Sequence, residues 1–143
     1  LMSEAFRQAD NFLKQANRKS ASALILTGGW IESVYFACQL NDKKPSPDIE
    51  RRIGEQKNSL NSILEILNEY NKAGANDSLI VEMESLKESF DKVEMIYEYA
   101  APSIDAENNH STFNHTLDIK IGKDVLEEIK TKIEEIRSNI IKA

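Results

Sequence analysis

From Ala21 to Cys38 the chain runs for eighteen residues with a single charge, Glu32, and apolar side chains fall on nearly every side of a helix drawn through it. A helix of that kind has to be covered, by other helices or by lipid. Three later segments carry apolar stripes at helical spacing and need a partner of the same kind, so the run is expected to be the central rod of a helical bundle. Its length approaches that of a membrane span, and the basic pairs Arg18-Lys19 and Lys43-Lys44 flank it. Ser22, Thr27, Glu32, Ser33 and Gln39 within it argue against insertion.

The remaining segments are read from their punctuation, which is sparse: three prolines and five glycines in 143 residues leave little room for hairpin turns. Pro45-Ser46-Pro47 opens a helix, with Ser46 as N-cap, Pro47 at the first helical position, and Asp48 and Glu50 at the positive end of the dipole. Ile49, Ile53, Leu60, Ile63, Leu64 and Leu67 stripe one face of it as far as Tyr70. Asn71 to Asp77 reads as a short turn in which Gly74 can take positive φ. Leu79, Met83, Leu86, Phe90, Val93, Tyr97 and Ala100 then recur in steps of four and three, which predicts a helix that continues to Pro102.

Residues 101–121 read as the longest irregular stretch. Thr116 to Ile121 alternates briefly, but a lone strand has nothing to pair with, so it is assigned to the loop. Lys123 to Ile141 forms the last helix, with Val125, Leu126, Ile129, Ile133, Ile136 and Ile140 inward and Glu127, Glu128, Lys130, Glu134 and Arg137 toward water. At the other end, Phe6, Ala9, Leu13 and Ala16 mark a helix. It either continues into Ala21 to Leu40, bending near Gly28-Gly29, or breaks around Lys19-Ser20. The expected fold is all-α: one domain, 1–143, built as an antiparallel bundle of four to five helices.

Charge narrows the partners. With 24 acidic and 18 basic residues the net charge is −6, and a phosphate backbone is repelled on average, so nucleic acid is not an expected partner. Cys38 is the only cysteine and lies in the apolar run, where a buried inert thiol is expected over a nucleophile. The start Leu1-Met2-Ser3 shows no signal-peptide pattern, which fits either a cytoplasmic chain or a mature one.

No phosphate loop, dinucleotide fingerprint, HExxH, CxxC or serine elbow occurs, so no catalytic residues and no cofactor are assigned. His110 and His115 sit five apart outside any helix, with Asp105 and Glu107 nearby, a poor metal site.

The candidate binding residues are Gly28, Gly29, Trp30, Glu32 and Tyr35. Two glycines in mid-helix cost roughly 1 kcal/mol each, which is tolerated where a neighbour or a large ring comes close. The first reading is packing. The alternative is a small-molecule pocket floored by the glycines and walled by Trp30. Glu32, in an apolar run, needs a partner, and Arg52, Lys57 or Tyr35 could supply one. The expected role is thus a noncatalytic one, acting by contact with a protein or a small ligand.

Gly28-Gly29-Trp30-Ile31-Glu32 with Tyr35 and Gln39, followed by Arg52-Ile53-Gly54-Glu55-Gln56-Lys57 and Leu60, resembles a group of small, functionally uncharacterised helical proteins of Bacteroidetes-type bacteria. Many of that group are lipoproteins of the cell envelope. The resemblance spans about residues 20–70 and implies an exported helical bundle of the periplasm or envelope, without an activity. The lipid-bearing cysteine such proteins carry near the amino terminus has no counterpart here, so membrane contact is expected only through an anchor outside this sequence.

Overall fold

The computed structural model describes residues 19–105 and 109–142, together with Glu4, Arg7, Gln8 and Asn11, which are helical. The stripe Phe6, Ala9, Leu13, Ala16 and the loop residue Glu107 lie outside the described residues. Four helices dominate: α1 (Lys19–Lys43), α2 (Pro47–Glu69), α3 (Asp77–Asp91) and α4 (Lys123–Lys142). Between α3 and α4 come four short strands, β1 (Glu94–Glu98), β2 (Ser103–Asp105), β3 (His110–Thr112) and β4 (Thr116–Lys120). The chain is therefore mostly helical but not all-α.

The helices pack in a ring, α1 on α2, α2 on α3, α3 on α4, and α4 back on α1. Short connections force neighbours to run in opposite directions. At the α1–α2 turn Asn41 caps the bend: its Oδ1 accepts the Ser46 backbone N–H at 3.0 Å, and its Nδ2 reaches Glu50 Oε1 at 3.5 Å. Ser46 occupies the N-cap position with extended backbone, yet its hydroxyl caps nothing; the buried Asn41 has taken over the local polar work. At the α2–α3 turn Gly74 has φ +71° and Asn71 bridges to Asp77 and to the Asn76 N–H. Ile53, Leu60, Met83, Leu86, Phe90, Ile129 and Ile133, spaced three, four or seven apart within their helices, are fully buried at the centre of the ring.

α1 is long, as expected, and continuous through Gly28-Gly29, whose φ values are not positive. It is, however, a wall of the ring rather than its rod: only 33% of its apolar window is buried, and Ile25, Leu26, Phe36 and Leu40 are more than half exposed. By length and composition it is the one helix among the described residues that could cross a membrane. Its apolar girth exceeds what two neighbours can cover, because α2 and α4 flank it on one side only.

The segment expected to prolong α3 to Pro102 forms a strand instead. α3 stops at Asp91, where the Lys57 ammonium from α2 donates to the Asp91 and Val93 carbonyls at 3.1 and 3.0 Å. Those carbonyls would otherwise need the next helical turn. The following Val93-Glu94-Met95-Ile96-Tyr97 is rich in β-branched and aromatic residues and pairs antiparallel with β4, Met95 opposite Ile119 and Tyr97 opposite Leu117. Thr116–Lys120, assigned to the loop for want of a partner, thereby finds one.

Beyond that ladder β2 pairs with β3, Ser103 opposite Thr112 and Asp105 opposite His110. Four residues, Tyr99 to Pro102, oppose three, Phe113 to His115, so the hairpin carries a bulge. Pro102, which has no N–H to offer a ladder, sits inside it.

A two-stranded ribbon is marginal alone, and this one is tied to α2 at a single close approach. Gly54 is the reason it fits: a Cβ there would lie 2.6 Å from Ile119 Cγ2 and 3.3 Å from Val93 Cγ1. Among the strand residues whose burial is described, Ile119 alone is buried against the helices; the outer half of the hairpin stands clear of the ring as an arm.

Candidate functional site

The five residues singled out in the sequence separate on α1. Trp30 turns into the ring, 8% exposed, its Nε1 donating to Gln56 Oε1 at 3.0 Å and its ring 6.3 Å from that of Phe90. Glu32 and Tyr35 point instead toward α4. The Arg137 Nε donates to Glu32 Oε1 at 2.7 Å, and the guanidinium stacks 4.5 Å from the centre of the Tyr35 ring. The partner of Glu32 is thus neither Arg52 nor Lys57. Arg52 is exposed beside Glu55, and Lys57 is committed to the end of α3.

Helix periodicity alone turns Arg137 toward water; the sign that marks it out is that α4 holds one arginine among lysines, and only a planar guanidinium can pair and stack at once.

Neither glycine meets a neighbour. A Cβ at Gly28 or Gly29 would find nothing within 4 Å, so close packing does not explain them. Gly28 borders a small depression of about 180 Å³ with Ile31, Glu32, Arg137, Ile140 and Ile141. This opens, past Arg137 and Ile141, into a shallow groove of about 440 Å³ lined by Tyr35, Gln39, Glu134, Ser138 and Lys142. Gly28, Glu32 and Tyr35 therefore border the α1–α4 groove, while Trp30 faces the interior of the ring and Gly29 the outer side of α1.

Chemically the groove is a seam of satisfied polar pairs. Gln39 Nε2 donates to Glu134 Oε1 at 2.6 Å, and Lys130 pairs with Asp42 at 2.6 Å. Hydrogen bonds from Lys130 to Asp42 and Glu127 raise the ammonium's pKa. Cys38 lies behind this seam, where burial, helped by the Asp42 charge, pushes its thiol up to about 12. A thiol held protonated is no nucleophile at neutral pH. Among the described residues no three His, Cys, Asp or Glu side chains gather as a metal site would require.

The second concentration of unusual side chains is on the arm, which sequence reading passed over as loop. Tyr97, Tyr99, Ile104 and Phe113 are 59%, 75%, 74% and 73% exposed. His115 lies between Tyr97 and Phe113, with ring centres 5.4 and 6.2 Å away. Alternation places Met95 and Tyr97 on the same face as their partners Ile119 and Leu117, so the apolar face that β1 and β4 press on α2 continues outward uncovered. The bulge is pinned by Asn114, whose Nδ2 donates to the Ala101 carbonyl at 2.9 Å.

No protein-family model matches the chain, and no curated protein or solved structure matches it either.

Proposed function

We propose that the protein is a noncatalytic contact module: an antiparallel four-helix bundle that presents a β arm to a protein partner. The observation that carries this reading is the arm's set of uncovered large apolar side chains, Tyr97, Tyr99, Ile104 and Phe113, on a ribbon anchored through Ile119 and Gly54. Exposed aromatic groups clustered beside polar residues are what protein interfaces use as anchors, since they offer large contact area at small entropic cost. The cell envelope as the setting belongs to the same proposal and rests on the resemblance of residues 20–70.

The test is photo-crosslinking in the native cell with a benzophenone side chain at Tyr99. The reading expects one discrete adduct that disappears when Tyr97→Ser and Phe113→Ser are added at unchanged melting temperature. An adduct indifferent to those two substitutions, or none, refutes it.

A second reading, a small ligand held by contacts, draws support from the α1–α4 groove, where Arg137, Ser138, Lys142 and Gln39 offer donors around an open volume of about 440 Å³. Because Arg137 lies over Tyr35, tyrosine emission is the reporter for it; metabolite mixtures that leave this emission and the melting temperature unmoved count against a ligand there.

A further inference from the structure

The outward face of α1 shows a pattern that neither the arm nor the groove uses. Leu26, Gly29, Ser33, Phe36 and Leu40 are all exposed and follow one another in steps of three, four, three and four. That is the spacing of a coiled-coil seam, and it lies on the side of the helix turned away from α2 and α4. Among the described residues nothing covers it: Trp30, Ile31, Val34 and Cys38 fill the inward side.

We infer that this seam pairs with the same seam of a second copy, antiparallel, about a two-fold axis beside Ile31. Three features of the face select a second copy over other occupants. The first is self-complementarity. With residue i opposite residue 62 − i, Gly29 meets Ser33 twice at the crossing and Leu26 meets Phe36 twice on either side, small against small and large against large, while Leu40 lies over Ser22 at each end. A closed two-fold contact requires this matching of a patch with itself. The open space beside Gly29 admits the partner's backbone, and the Ser33 hydroxyl is already bonded to the Gly29 carbonyl at 2.8 Å, so neither brings an unmet polar group.

The second feature is charge. Each copy carries −6, yet between Lys19 and Asp42 the only charge on α1 is Glu32, and Arg137 neutralises it at 2.7 Å on the α4 side. Two acidic chains thus meet here without carboxylate repulsion, and the register brings like charges, Lys19 and Lys43, together only at the ends of the seam.

The third is area. The exposed parts of Ile25, Leu26, Phe36 and Leu40 amount to roughly 450 Å² per copy, or about 900 Å² in all, which is the size of a weak, reversible contact and not of an obligate one. The resulting dimer is expected to be reversible, forming as concentration rises.

Sedimentation of the full chain across a concentration series tests this. The weight-average mass is expected to climb from 16.2 kDa toward twice that value. Gly29→Glu and Phe36→Glu, both at exposed positions, should each hold the mass at the monomer value with an unchanged helical circular dichroism spectrum. Tyr97→Ser with Phe113→Ser should leave dimerisation intact, which separates this interface from the arm.

Register is read by mild oxidation of a mixture of Gly29→Cys and Ser33→Cys proteins, expected to give the mixed disulfide faster than the Ser33→Cys disulfide with itself. A monomer at every concentration overturns the inference, whether a bilayer, another protein or chain preceding Lys19 covers the face. So does a dimer that survives both glutamate substitutions.

Discussion

Replacing Gly54 and Gly28 by alanine, one at a time, should shift stability in opposite directions, although both lie within helices. At an exposed interior helix position Gly→Ala is worth roughly 0.5–1 kcal/mol through backbone entropy. Gly28 meets nothing within 4 Å of a new Cβ, so Gly28→Ala should realise that gain in full. Gly54 would collect the same propensity term, but its Cβ would arrive 2.6 Å from Ile119 Cγ2 and 3.3 Å from Val93 Cγ1. Both neighbours are β-branched and stiff at χ1, and both are buried, so relief requires the β1–β4 ribbon to move away from α2.

Overpacking of that kind costs about 1–3 kcal/mol, which outweighs the propensity gain and leaves Gly54→Ala about 1 kcal/mol less stable than the parent. The two variants should then differ by about 2 kcal/mol in urea titrations followed by circular dichroism. A double-mutant cycle with Ile119→Ala, which removes the offending methyl groups, should return a coupling of about 1 kcal/mol. If Gly54→Ala proves as stable as the parent, or if the cycle shows no coupling, the seating of the arm on α2 through this glycine is wrong.

Two further outcomes follow from side-chain environments. Cys38, with its thiol pushed up to about 12 by burial, should resist a disulfide reagent such as dithionitrobenzoate at neutral pH and react only as the chain unfolds, at a rate that tracks denaturant; prompt labelling of the native protein would contradict its place behind the α1–α4 seam. Glu128 is held down to about 2 from its ordinary 4.5, first by the Lys92 hydrogen bond and then by Ser89. A depressed carboxyl contributes stability that is present above pH 4.5 and is lost as pH falls toward 2, so the melting temperature of the parent should drop across that window more steeply than that of Glu128→Gln. Parallel acid profiles for the two would dismiss the Glu128–Lys92–Ser89 link between α3 and α4.

The short-range content of this protein was legible in its sequence. The helix starting at Pro47, the turn with Gly74 at positive φ, the apolar stripes of α2 and of α4 as far as Ile136, and the buried thiol of Cys38 all follow from residues within a few positions of one another, because helix periodicity, proline and glycine act locally. Ile140, placed inward by the same period, is exposed because no neighbour among the described residues covers it near the end of α4. Glu32 could be recognised as a carboxylate needing a partner. Its actual partner, Arg137, lies 105 positions away and was hidden by a charge pattern that looks solvated throughout.

What tertiary structure alone decided is where periodic signals cease to hold. The heptad spacing of Leu79 to Ala100 continues past the true end of α3, and only Lys57, arriving from another helix to take the Asp91 and Val93 carbonyls, together with the distant Thr116–Lys120 as a pairing partner, converts its second half into a strand. The apolar girth of α1 likewise announced that the helix must be covered without saying by what. A side chain's hydrophobicity is a property of one residue, whereas burial is a property of its neighbours, and those are supplied by chain far away in sequence or by another molecule.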